Sequence, residues 1–175
     1  MTDIPDGIIL KRHRDLHGLR KAPWPRRVIL GLICAFAILA LANVFGQRPA
    51  TTVAGSDEAS LKLYAPTHLR GGLLFSARFH VTAHRDVKDA MLVLDQGWAE
   101  GMAINTIEPS PVGEASRDGK LSLDLGHIPA GSSYVLYMQF QANATNLAWR
   151  RPAGVTLLDG GQELVHIDRM ITIYP

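Results

Sequence analysis

The stretch LLFSARFHVTAH, residues 73–84, decides the fold of most of this chain because apolar and polar side chains alternate along it. Its odd positions are all apolar, and its even positions are polar from Ser76 onward. Successive side chains of a β-strand point to opposite faces of a sheet, so this period of two predicts a strand with one buried face and one solvated face. Such strands are typical of antiparallel sheets that cover a core on one side.

The same pattern continues on both sides of this strand. Further strands are predicted at residues 61–64, 87–94, 101–107, 121–125, 134–143, 155–158 and 163–174. Turn-forming triplets lie between them, each with glycine where a positive φ is favoured: Arg70-Gly71-Gly72, Arg117-Asp118-Gly119, Pro129-Ala130-Gly131 and Asp159-Gly160-Gly161. We therefore predict an all-β fold over residues 61–175, an antiparallel immunoglobulin-like β-sandwich.

One residue breaks the alternation of the final strand. Arg169 falls on the apolar face of residues 163–174. A β-bulge, a sheet edge, or an ion pair with Asp168 or another acid would each account for it. The sequence leaves these three interpretations open.

Before the β-rich region lies VILGLICAFAILALANVFG, residues 28–46, which has no charged residue. As a helix it would rise about 28 Å, close to the thickness of the hydrocarbon core of a bilayer. Arg26 and Arg27 precede it directly, and Trp24 stands where an interfacial aromatic anchor is expected. These features predict one N-terminal transmembrane helix with the lipid bilayer as its partner.

The charge is distributed unevenly around this helix. Residues 1–27 carry seven Lys/Arg against three Asp, whereas residues 47–175 carry eleven Lys/Arg against thirteen Asp/Glu. Basic flanks stay in the cytoplasm, so we predict a single-pass protein of the cell membrane with a cytoplasmic N-terminus. The four predicted parts are a basic cytoplasmic segment (1–27), the transmembrane helix (28–46), a linker (47–60) and an extracytoplasmic domain (61–175). Basicity reports topology here, and no nucleic-acid partner is expected.

A cleaved signal sequence is the alternative to an uncut signal anchor. Ala40-Leu41-Ala42 fits the small-x-small pattern of signal peptidase sites, with a cut after Ala42. The 27 residues that come first are long for a secretory n-region, and the apolar run continues to Phe45, which favours the anchor. Within the helix, Gly31 and Ala35 form a small-xxx-small pair that could pack against another transmembrane helix.

The residues offer no evident catalytic or metal-binding set. His80 and His84 lie in a predicted strand about 13 Å apart, too far to share one ion. The single cysteine, Cys34, lies in the transmembrane stretch, and no Gly-x-Ser-x-Gly element or phosphate-binding glycine loop is present. We therefore expect no enzymatic activity, no metal and no cofactor.

Four residues are candidates for contact with a partner protein: Trp98, Trp149, Arg150 and Arg151. All fall between the predicted strands, and exposed aromatic and arginine side chains supply much of the energy of protein interfaces. For Trp98 the sequence leaves a second interpretation open, because a tryptophan can also fill one end of a sandwich core.

The β-rich region resembles a known family. The motifs are paired glycines before a strand (Gly71-Gly72), a strand ending in Leu94-Asp95 followed by Trp98 and Gly101, and a proline-containing stretch, Glu108-Pro109-Ser110-Pro111. The element LGHIPAG, residues 125–131, then leads into a long alternating strand. Over about residues 60–175 this is similar to the Ig-like repeats of bacterial surface proteins and related cell-adhesion domains.

As a whole, the chain looks like small single-pass membrane proteins of high-GC Gram-positive bacteria. The resemblance implies an Ig-like fold in the cell envelope and an envelope protein or a polytopic membrane protein as the kind of partner. It implies no activity.

These observations predict an accessory or scaffold protein whose extracytoplasmic Ig-like domain mediates protein–protein contact in the cell envelope. The alternative is a module that binds cell-wall glycan or a small ligand. A glycan binder is expected to show several exposed aromatic and acidic side chains on one face. The sequence offers Trp98, Trp149 and a few tyrosines, so protein contact is favoured.

Overall fold

The computed structural model describes residues 23–42, 44 and 46–175. Most of the predicted basic segment 1–27, and the residue after the candidate cleavage site, lie outside the described residues. The chain divides into two compact units, Met1–Val44 and Phe45–Pro175.

The described part of the first unit contains one helix, α1, Pro23–Leu41. It is 19 residues long and apolar, and none of its residues is buried within the chain, so it is long and apolar enough to cross a membrane. It begins and ends earlier than the predicted span of 28–46. Pro23 and Pro25 fit a first helical turn, whose N–H groups have no partner within the helix, so the prolines did not exclude helix before residue 28.

The second unit is built from thirteen strands: β1 Pro49–Gly55, β2 Ala59–Pro66, β3 His68–Arg70, β4 Leu74–Ala83, β5 Val87–Leu94, β6 Met102–Glu108, β7 Gly113–Arg117, β8 Lys120–Ile128, β9 Ser133–Ala142, β10 Ala148–Pro152, β11 Val155–Asp159, β12 Gln162–Ile167 and β13 Met170–Tyr174. They form two five-stranded sheets, β1-β2-β4-β9-β6 and β12-β11-β5-β8-β7, and a three-stranded sheet, β10-β13-β3. Every pairing is antiparallel except that of β13 with β3. The prediction of one apolar N-terminal helix followed in the sequence by antiparallel sheets is confirmed.

One hydrophobic core is shared by the sheets. In β4 every odd-numbered residue from Phe75 to Ala83 is buried, as the alternation predicts. Phe79 lies directly opposite Leu63 of β2 and Leu136 of β9, and β5 and β11 of the other five-stranded sheet contribute buried leucines to the same cluster. The described core lies entirely between residues 59 and 173, so the second unit contains its own core without a disulfide.

The predicted linker 47–60 is wrong over most of its length. Residues 49–55 form β1, which pairs along its whole length with β2. The β-branched run Thr51-Thr52-Val53 fits an extended strand. An edge strand buries few side chains, so the composition of residues 49–55 resembles that of a linker. The strand therefore depends on β2, which presents hydrogen-bonding groups for it.

Three other short strands were not predicted: β3, β7 and β10, of three to five residues each. The predicted strand 163–174 is also divided, with Asp168 and Arg169 between β12 and β13.

Arg169 is buried, and its Nη2 donates a hydrogen bond to the carbonyl of Ala65. Its Nε and Nη1 have no partner among the described residues, and burial lowers the pKa of its guanidinium. The structure shows no carboxylate partner for it in the described part of the chain.

All four predicted turns join consecutive strands. Gly72, Gly119, Gly131 and Gly160 adopt positive φ of 79°, 75°, 76° and 55°. Residues other than glycine, asparagine and aspartate rarely adopt a positive φ, which explains why each of these turns has glycine at this position.

Candidate functional site

Trp98 is a core residue, and its assignment as a partner contact is wrong. It lies in a short 3-10 turn, Gln96–Trp98, directly after β5, and is 1% exposed. Its ring centroid lies 5.6 Å from that of Phe79 and 5.3 Å from that of Phe140. Its indole N–H donates a 2.9 Å hydrogen bond to the carbonyl of Ala153. A large apolar ring with its one donor satisfied is stable in the core, which is the second interpretation left open by the sequence.

Trp149 and Arg150 are exposed, but they lie in a strand and not in a loop. β10 pairs with β13 at Ala148 and again at Arg151, and the register shifts between them, so Trp149 and Arg150 form a bulge. Arg150 adopts a φ of 54°, and the side chain of Trp149 is 77% exposed. Together with the exposed Leu147, they form a surface that we call the β10 bulge. Bulges reorient side chains at sheet edges in this way.

Arg151 points back onto the domain. Its Nη1 donates to the carbonyl of Glu100 at 2.6 Å and its Nη2 to Oδ1 of Asn146 at 2.9 Å, and its Nε lies 3.6 Å from Oε2 of Glu100. Asn146 in turn donates to the carbonyl of Gly101 at 2.8 Å. Since Arg151 joins β10 to the turn after Trp98, it stabilises the position of the bulge and is poorly placed to contact a partner.

A shallow cleft of about 290 Å³ lies beside this network, lined by Asp95, Gln96, Gly97, Glu100, Lys120, Arg151 and Pro152. Its charges pair with one another: Lys120 Nζ lies 3.0 Å from Oδ1 of Asp95, and Arg151 contacts Glu100. Two acids and two bases that neutralise each other leave little net charge to attract an ionic ligand.

A second surface, which sequence reasoning missed, lies on the solvated face of the sheet β1-β2-β4-β9-β6. Five residues stand opposite one another across its five strands, and we call them the Tyr–Arg row: Thr51, Tyr64, Arg78, Tyr137 and Glu108. The guanidinium carbon of Arg78 lies 5.0 Å from the ring centroid of Tyr137 and 6.0 Å from that of Tyr64. Its Nη2 also donates to the hydroxyl of Tyr137 at 3.4 Å. Cation–π contacts on both sides hold this exposed arginine in place.

A cavity of about 260 Å³ opens beside this row, lined by Thr51, Lys62, Tyr64, Arg78 and His80. Lys62 stands opposite His80 in the neighbouring strand. Neither Lys62 nor Arg78 has a carboxylate partner within the described chain, whereas Arg85, Lys120 and Arg151 do. The cavity therefore combines uncompensated positive charge with hydroxyl and ring surfaces.

In the sequence these residues looked like the solvated side of separate strands. Arg78 and His80 are even positions of the alternating stretch 73–84, and nothing in the sequence says which residues of other strands stand beside them. Only the pairing register brings Tyr64 and Tyr137 to the two sides of Arg78.

Gly31 and Ala35 lie four residues apart in α1, where no described side chain lies within 4 Å of a Cβ added at Gly31. Helix packing at this pair stays a prediction. Among the described residues, no group of three or more His, Cys, Asp or Glu side chains could hold a metal ion.

Comparison with known proteins gives no family. No protein-family model matches the chain, and no curated protein matches it. Among the solved structures that match, the following three show only weak likeness. One, described as AvmM, which catalyses macrocyclization in alchivemycin A biosynthesis, is 8% identical with a TM-score of 0.40, and the match covers 74% of this chain and 90% of that one. A second is the Pseudomonas fluorescens alkylpurine DNA glycosylase AlkC bound to DNA containing an abasic site analogue, with 11% identity and a TM-score of 0.34.

The third is a GH20 exo-β-N-acetylglucosaminidase from Vibrio harveyi in complex with N-acetylglucosamine, with 11% identity and a TM-score of 0.31. The matches cover 70% and 73% of this chain but only 30% of the DNA glycosylase and 18% of the glucosaminidase. At these values the likeness assigns neither a fold family nor an activity. The chain thus resembles these structures weakly, and what it does must be inferred from its own surfaces.

Proposed function

We propose that this protein is a single-pass, membrane-anchored accessory or scaffold protein whose extracytoplasmic domain binds another envelope protein through the β10 bulge. The observation that carries the proposal is the 77% exposure of Trp149 next to Arg150 at a sheet edge. A large aromatic ring exposed to water has an unfavourable hydration that a partner would remove, and tryptophan and arginine are the residues most enriched at interface hot spots.

The neighbouring network supports a role in recognition. The hydrogen bonds of Arg151 to Glu100 and Asn146 fix the strand on one side of the bulge. A contact surface that is already held in place loses less conformational entropy on binding than a mobile loop. The domain itself we propose to be an immunoglobulin-like sandwich, supported by two antiparallel sheets that share one core around a buried tryptophan.

Site-specific photocrosslinking tests the contact. A photoreactive phenylalanine analogue replaces Trp149 in the full-length protein, produced in cells that make it naturally, and the matched control carries the same analogue at Lys88, exposed on β5. We expect a discrete crosslinked protein from position 149 and none from position 88. The same product from both positions, or none from position 149, would contradict the proposal.

A double substitution measures the energetic contribution of the bulge. Trp149→Ala with Arg150→Asn removes the indole ring and the guanidinium group, and asparagine tolerates the positive φ of position 150. We expect at least about a tenfold loss in recovery of the crosslinked partner by pull-down, as for hot-spot residues, with an unchanged melting temperature. Val53→Ala with Arg85→Ala, which removes one exposed apolar and one exposed basic side chain elsewhere, should leave recovery unchanged.

Orientation is a separate part of the proposal. The basic residues of segment 1–27 favour a cytoplasmic N-terminus, so we propose that residues 47–175 lie outside the cytoplasm. Protease added to intact protoplasts should therefore degrade the β-rich domain, detected with an antibody against its C-terminus, and leave an N-terminal tag intact. A domain that becomes degradable only after the membrane is permeabilised would show the opposite orientation.

A further inference from the structure

We propose that the solvated face of the sheet β1-β2-β4-β9-β6 binds an acidic saccharide, with Arg78 and Lys62 contacting its carboxylate or phosphate group. This site is separate from the β10 bulge, and the proposal does not depend on the function proposed above.

The charge of the cavity selects an anion. Lys62 and Arg78 line the same cavity of about 260 Å³ without a carboxylate partner among the described residues. The outer part of the chain has an excess of acids, so two uncompensated bases side by side are a local reversal of its charge. Glu108 is the only acid of the Tyr–Arg row and lies two strands from Arg78, about 10 Å away, which is close to the screening length at physiological salt.

The geometry of Arg78 favours a planar oxyanion. Tyr64 and Tyr137 hold the guanidinium from both sides, so its remaining N–H groups are presented to solvent with little freedom to lose on binding. A guanidinium fork matches the two oxygens of a carboxylate or phosphate better than an ammonium group does. Arg78 would thus orient the ligand, and Lys62 and His80 would add positive charge and donors beside it.

The shape of the face favours a saccharide as the carrier of this anion. The Tyr–Arg row crosses five strands in register, a length of about 19 Å at ordinary strand spacing, so an elongated ligand can continue past the cavity to Tyr137. Tyr64 and Tyr137 are both about 40% exposed and offer ring surface and hydroxyl groups, which sugar C–H and O–H groups can contact. A lipid surface is the less suitable ligand. Near the cavity, Val53 and Val135 are the large aliphatic side chains that are well exposed, and two valines offer little apolar surface for insertion into lipid.

Binding of fluorescently labelled oligogalacturonate to the full-length protein in micelles of an uncharged detergent tests the proposal. We expect saturable binding that weakens as salt is raised, and no binding of a neutral dextran oligosaccharide of equal length. Arg78→Gln should weaken binding about tenfold or more, since a charge-assisted hydrogen bond is lost. Lys62→Gln should weaken it about threefold, and Arg78→Lys should give an intermediate loss because the charge remains but the planar fork does not.

Matched controls remove the same charges elsewhere. Arg117→Gln on β7 and Lys88→Gln on β5 alter exposed bases on the other five-stranded sheet and should change binding less than about twofold. Melting temperatures of all variants should match the wild type, because each changed side chain is solvated.

Three outcomes would overturn the assignment of this face as the binding site. They are no saturable binding of oligogalacturonate by the wild type, equal binding by Arg78→Gln and wild type, or equal losses in the Arg117→Gln control. Displacement of the probe by inorganic phosphate at an equal concentration of anionic groups would show a small-anion site, and would overturn the saccharide as ligand. None of these outcomes bears on photocrosslinking at position 149, so the two proposals can fail separately.

Discussion

Phe79→Ala is expected to cost about 3–5 kcal/mol of the free energy of unfolding, the range found when large aromatic residues are truncated in cores. Phe79 is fully buried at the centre of β4, between Leu63 and Leu136 on the neighbouring strands. Its ring also packs edge-on against Trp98. Removal of the ring leaves a cavity that rigid neighbouring strands can fill only in part, and the lost contacts add to the lost burial of apolar surface.

His80→Ala is the matched control, one residue along the same strand. His80 lies on the solvated face and is only partly buried, so its truncation should cost less than about 0.5 kcal/mol. Urea unfolding of residues 46–175, followed by circular dichroism, gives both values, because the described core lies within this part of the chain. Equal losses from the two substitutions would contradict the assignment of Phe79 to the buried face and His80 to the solvated face.

Trp98→Ala is expected to have at least as large an effect, about 3–5 kcal/mol for the lost ring. The carbonyl of Ala153 would also lose its donor, and a buried unpaired acceptor costs about 1–3 kcal/mol more. A domain of this size has only about 5–15 kcal/mol to lose, so the variant should be largely destabilised and poorly recovered. Trp98→Phe keeps most of the apolar surface and should show a smaller loss, dominated by the missing hydrogen bond.

Trp149→Ala provides a comparison with the same change of side chain. Trp149 is exposed at the β10 bulge, so its truncation should change the free energy of unfolding by less than about 0.5 kcal/mol. The difference between the two tryptophans, measured in the same urea titration, separates a core role from a surface role. A large loss at Trp149 and a small one at Trp98 would reverse the assignment of both residues.

The sequence alone predicted the strands that pair with neighbours on both sides. β4, β5 and β9 are long, have buried faces, and repeat apolar residues often enough for the period of two to be recognised. The glycines of the four turns were equally informative, because a positive φ is costly for almost every other residue. The apolar composition of residues 28–46 also predicted a helix long enough to span a membrane, although α1 begins and ends about five residues earlier than predicted.

Edge strands were predicted poorly for a physical reason. β1, β7 and β10 bury few side chains, and their stability comes from backbone hydrogen bonds to the strand beside them, which any sequence can form. Residues 49–55 of the predicted linker form β1, and the predicted loop with Trp149 is a bulged strand. The partner strands, and not the local residues, decide these conformations.

The candidate sites depended still more on tertiary structure. The sequence identified the tryptophans and arginines as a set, but only burial separates Trp98 and Arg151 from Trp149 and Arg150. Tyr64, Arg78 and Tyr137 are far apart in the chain, and the register of three strands makes them neighbours. By itself the sequence determined the periods, the turns and the apolar helix, since these are local properties of the chain. The tertiary structure decided which side chains stand together on a surface, because that depends on strand order and register, which join residues distant in sequence.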